Sequence, residues 1–216
     1  MDYAYILEKV QDTFNKANIT SFKLYYGHPD FNSFKEKLSD IGIKVSNGLT
    51  KVCLLNIDDE FVIKIPIEGE YNHWSRTREF NRYYHNYCLL DIVIYKDISS
   101  EENKDFVDLF LPVLYIGEVN GLEIYIQKKV DFVGTKDIDA SLWNTAEQFL
   151  NDSESACSCT GYDTDLVVSL LDYFGTETTE VLFGLMSQYE IKDLHCANFG
   201  YIGNKPYIFD YSGYQH

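Results

Sequence analysis

Alternating and helical hydrophobic patterns are segregated along this chain, and that segregation constrains its fold more than any other feature of the sequence. Tyr3, Ile6, Leu7, Val10 and Phe14 recur at helical spacing. Phe31, Phe34, Leu38 and Ile41 repeat that spacing after the break at Gly27–His28–Pro29–Asp30. From Ile43 the runs become β-rich. Lys51–Ile57 and Phe61–Ile67 flank the acidic turn Asp58–Asp59–Glu60, and Phe110–Gly117 and Leu122–Val130 flank Asn120–Gly121, a strong hairpin signal. Residues 70–90, free of Gly and Pro, predict a long helix between the hairpins, followed by the polar stretch Lys96–Asp105. After Val130 helical spacing returns in three apolar faces: Ile138, Leu142, Trp143, Ala146, Phe149 and Leu150; Leu166, Val167, Leu170, Leu171 and Phe174; and Val181, Leu182, Leu185 and Met186. Two short strands close the sequence around Gly203–Asn204. The order predicts an α+β fold in two lobes, with the cleft between them as the default ligand site. The expected organisation is a helical extension over 1–42, a β-rich lobe and hinge over 43–130, and a helical lobe over 131–216.

The length, 216 residues, suits one domain or two small lobes. With 18 basic against 34 acidic residues, the net charge of −16 argues against binding nucleic acid or an anionic membrane, and leaves basic partners open. No apolar run approaches the ~20 residues of a membrane span, and the first residues lack a signal peptide's pattern, so a cytoplasmic location is expected. The five cysteines are odd in number and lack C-x-x-C pairs, which argues for reduced thiols.

The most informative segment runs from Asp193 to Asp210. Asp193 and Asn198 stand five positions apart on a loop, and Asp210 ends an apolar strand 17 residues after the first aspartate. Phosphoryl transfer to a hydroxyl calls for this set: a carboxylate to orient or deprotonate the acceptor, and an amide oxygen with a second carboxylate to hold magnesium.

The Asp193-Leu194-His195-Cys196-Ala197-Asn198 segment and the strand ending at Asp210 resemble the catalytic loop and metal-binding strand of the protein-kinase-like superfamily. The spelling is the D-x-H-x-x-N form of aminoglycoside and choline kinases. The arrangement of the whole chain is similar to the small serine/threonine kinases of bacteriophages and the minimal kinases among bacterial effectors. The resemblance implies a bilobal kinase-like fold that uses ATP and magnesium, with Asp193 as catalytic base and Asn198 and Asp210 as metal ligands. It implies that Lys64, in Val62-Ile63-Lys64, pairs with the nucleotide phosphates. An ammonium among apolar neighbours needs an anionic partner, and Glu79, 15 residues on, is the expected one, with Glu70 as its rival. Gly48 and Thr50 fall where a glycine-rich loop covers phosphates, Gln127 and Lys129 at the hinge that faces adenine, and His195 near the phosphates.

Only six residues follow Asp210, so the resemblance implies no activation loop and none of the usual substrate-holding helices. Residues 131–191 carry twelve acidic side chains and one basic one, Lys136. That stretch reads either as a solvated face or as a docking surface for a basic protein substrate, a host protein if the chain is phage-encoded. The main alternatives are a small-molecule phosphotransferase and a kinase-shaped acidic inhibitor of a basic host factor.

Overall fold

The computed structural model describes residues 3–22, 24, 29–48, 50–67, 86–100, 104–132, 140–152, 164–189, 191 and 198–212. The chain is α+β and divides into two compact units: 1–93 with 112–129, and 94–111 with 130–216. The first 42 residues do not stand apart as an extension, because their apolar faces share one core with the sheet that follows. Residues 94–111 belong to the second unit, not the first.

In the first unit, α1 (Ala4–Lys16) and α2 (Pro29–Asp40) form where the apolar spacing predicts helices. Each buries its periodic face: Ile6, Val10 and Phe14 on α1, and Phe31, Phe34 and Leu38 on α2. Ile41 lies in the turn beyond α2, where the helical phase is lost, and is exposed, contrary to its expected place on that face. Strands β1 (Val45–Asn47), β2 (Lys51–Leu54), β3 (Phe61–Pro66), β4 (Val113–Val119) and β5 (Leu122–Lys128) form an antiparallel sheet in the order β1-β2-β3-β5-β4. Both expected hairpins are present with shorter strands. The β4–β5 turn places Asn120 at φ 53° and Gly121 at φ 81°, the left-handed pair that a two-residue hairpin turn requires. Gly117, at φ 143°, sits at a bulge where an added Cβ would come within 2.9 Å of a Leu7 methyl, so glycine lets α1 lie close on β4.

Alternation gives the sheet two distinct faces. Val52, Leu54, Ile63, Ile65, Ile124 and Ile126 point into the core shared with α1 and α2. Lys51, Cys53, Lys64, Tyr125 and Gln127 occupy the other face. There the first turns of α3 (Tyr87–Ser100) pack Cys88 and Ile92 against Val113 and Tyr125. The described helix runs to Ser100, through the stretch the sequence reading makes polar from Lys96; the expected helix over 70–85 lies outside the described residues.

The β2–β3 turn is built around Asp58. Its carboxylate accepts the N–H groups of Glu60 and Phe61 at 2.9 and 3.1 Å and an ion pair from Lys9 of α1 at 2.7 Å. Burial alone would raise the Asp58 carboxyl, but these donors outweigh it and hold the group below the ordinary carboxylate range. Its stabilisation is therefore complete above an unfolded pKa of about 3.9 and is lost as pH falls through the lower folded value. The melting-temperature gap between the native chain and Asp58→Asn should stay constant from pH 7 to 5 and close below about pH 4. A gap independent of pH would refute this account.

In the second unit, a short α4 (Lys104–Val107) precedes Leu109–Leu111, whose main chain pairs with Ile208 instead of extending β4 as the sequence reading expects. Three helices, α5 (Ala140–Asp152), α6 (Thr164–Phe174) and α7 (Thr176–Gln188), form on the three predicted stretches, with Ile138 of the first face outside the described residues. Phe149 of α5 meets Phe183 of α7 with ring centroids 5.3 Å apart. On α7 Phe183 takes the buried position and Val181 is 56% exposed, reversing the expected assignment of Val181. Strands β6 (Asp131–Phe132), β7 (Phe199–Ile202) and β8 (Lys205–Ile208) form an antiparallel sheet, with Gly203 at φ 62° in the β7–β8 turn. Among the described residues no helix is long and apolar enough to cross a membrane.

Candidate functional site

The β7–β8 hairpin brings two predicted site residues together. Phe199 pairs with Ile208 at its open end, and the Asn198 carbonyl accepts the Phe209 N–H at 3.0 Å. Asn198 and Asp210, twelve positions apart in sequence, are therefore neighbours at the end of one small sheet. Asn198 is buried to 7% exposure. Asp210 holds φ 58°, a conformation that costs most side chains energy and that aspartate tolerates better than most. The residue after it is anchored: Tyr211 is buried, donates its hydroxyl to the Leu111 carbonyl at 3.3 Å and stacks edge-on against Phe110. An amide oxygen and a carboxylate are hard donors of the kind magnesium takes. Asp193 and His195 lie outside the described residues, and among the described residues no trio of His, Cys, Asp or Glu gathers.

The predicted strand lysine lies in the first unit. Lys64 is 4% exposed on β3, opposite Cys53 on β2 and Tyr125 on β5. Its expected partner Glu79, and the rival Glu70, lie outside the described residues. Sequence reasoning missed a second lysine. Lys51 on β2, 3% exposed, forms an ion pair at 2.8 Å with Asp91 on α3, which is fully buried. Asp91 carried a signal: it is the lone charge within the apolar run Tyr87–Ile94. Lys51 carried none, being preceded by Thr50 at the start of its strand.

The start of α3 is fastened to the same face. The Asn86 side-chain oxygen accepts the Leu89 N–H at 2.9 Å, capping the helix, while its amide nitrogen donates to the Tyr125 hydroxyl at 2.8 Å and to Glu123. The Tyr125 hydroxyl donates in turn to Glu123 at 3.0 Å. Burial pushes the Tyr125 phenol up, and it pushes the Cys88 thiol up against the opposing pull of Lys51 and Lys64. Both groups are neutral at pH 7, so the lysines supply the positive charge of this face.

The loop and hinge expectations fare differently. Gly48 and Thr50 lie in the β1–β2 turn, where Gly48 donates its N–H to the Lys51 carbonyl at 3.1 Å and Thr50 accepts from Ile67 at 2.8 Å. A Cβ on Gly48 would meet nothing within 4 Å, so the turn itself does not demand glycine. At the hinge, Gln127 lies between Val62 and Val113 in the middle of the sheet. The Lys129 N–H is donated to the Glu60 carbonyl at 2.8 Å, and its ammonium to the Asp58 carbonyl. The Lys129 N–H thus closes the end of the β3–β5 ladder. No family model, curated protein or solved structure matches this chain.

Proposed function

We propose that this chain is an ATP- and magnesium-dependent phosphotransferase of the protein-kinase-like kind, acting on serine or threonine of a basic protein. The observation that carries the reading is the meeting of Asn198 and Asp210 at one end of the β7–β8 hairpin, on a backbone held at φ 58°. The buried strand lysine Lys64 supports it from the first unit. In this reading Asn198 and Asp210 would hold magnesium, which when bound neutralises charge on the phosphate oxygens. Lys64 binds the nucleotide phosphates. Asp193 takes the proton of the acceptor hydroxyl as its oxygen bonds to the γ-phosphorus and the bond to the β–γ bridging oxygen breaks, releasing ADP.

A basic acceptor is favoured by the second unit's surface. Asp131, Glu147, Asp165, Asp172, Glu177 and Glu180 are all exposed, so their charge is free to steer a positive partner. The test incubates the chain with labelled ATP, magnesium and a panel of basic proteins, beside Asp193→Ala. Label on serine or threonine with the native chain alone is the expected result. Absence of transfer, or equal transfer by the variant, would overturn the reading.

A further inference from the structure

We propose that Lys51 is a second phosphate-binding lysine, held in place by Asp91; the assignment rests on the nucleotide reading above and adds a residue to that site. Lys51 and Lys64 point from the same face of the sheet. In the β2–β3 register Cys53 stands opposite Lys64 and Lys51 opposite Pro66, so the two lysines are diagonal neighbours on adjacent strands. Such neighbours lie about 7–8 Å apart, a span that one polyphosphate bridges. Both ammonium groups are nearly removed from water, where their attraction for an anion is screened least.

Holding α3 against β2 does not by itself explain the pair. A buried ion pair returns in attraction about what it costs in desolvation, and an apolar pair of similar volume would join helix to strand as well. The charge gains a use when an anionic ligand meets Lys51, and Asp91 then acts as a positioning residue that fixes the ammonium beside Lys64.

The deciding variant is Lys51→Met/Asp91→Leu, which removes both charges and strands neither. Affinities for magnesium-ATP and for adenosine are measured by calorimetry on the native chain and the variant, with melting curves to establish folding. A charged hydrogen bond lost from the phosphates lowers ATP affinity by about 10- to 100-fold and leaves adenosine affinity unchanged. Unchanged ATP affinity, or an equal fall for adenosine, would overturn the assignment while leaving the nucleotide reading standing. A native chain that binds neither ligand would end both. A second measurement needs no variant: Cys53 is half-buried between the lysines, so saturating ATP should slow its alkylation at least several-fold. An unchanged rate in a chain that binds ATP counts against Lys51 as a phosphate contact.

Discussion

On the proposed phosphotransferase reading, replacing Asp210 by asparagine is expected to lower phosphate transfer by about a thousandfold while leaving the fold in place. The chemical argument is that in this reading Asp210 would lend magnesium a carboxylate charge that an amide does not supply. Losing about 4 kcal/mol of transition-state stabilisation is about a factor of 10³ in rate. The structural argument is that asparagine accepts the left-handed backbone almost as readily as aspartate, so φ 58° is kept without new strain. Tyr211 and its hydrogen bond to Leu111 still anchor the following residue. Melting temperatures should therefore agree within about 2 °C, less than 1 kcal/mol for a chain of this size. Asp210→Gly, which also suits the backbone, should be equally inactive and equally folded. Activity within tenfold of the native chain in either variant would remove Asp210 from the chemistry.

The second large effect concerns stability. Asp91→Leu leaves the Lys51 ammonium buried without its carboxylate, and breaking such a pair from one side costs about 3–5 kcal/mol. At about 2–4 °C per kcal/mol, the melting temperature falls by roughly 6–20 °C. Adding Lys51→Met removes the stranded charge and should recover most of the loss, so the two substitutions together destabilise less than Asp91→Leu alone. This non-additivity is the signature of direct coupling between β2 and α3. Simple addition of the two losses would mean that Lys51 finds another anion once Asp91 is gone, and that the ion pair does not fasten the helix.

How much of this was legible beforehand follows from how far each determinant reaches along the chain. The apolar spacings on α1 and α2, the Asn120–Gly121 turn and the Gly203 turn are each settled within a few residues, and the structure keeps them. The adjacency of Asn198 and Asp210 was legible too, because two short strands joined by a tight turn can pair in few registers. Helix α3 was misjudged for a physical reason. From Tyr87 to Ile94 it is apolar on every side apart from Asp91, so it offers no amphipathic phase to mark its extent. Val181 and Phe183 exchanged roles because a helix rich in apolar residues supports more than one candidate face.

The sequence by itself determined the α+β character and the hairpins, since local sterics and hydrophobic period suffice for each. Only the tertiary structure decided which lysine meets which carboxylate. Lys51 and Asp91 are 40 positions apart, on a strand and a helix with no turn or heptad rule between them. Their pairing arises because α3 packs its first turns on the polar face of the sheet, where a buried ammonium and a buried carboxylate each need a charged or hydrogen-bonding partner.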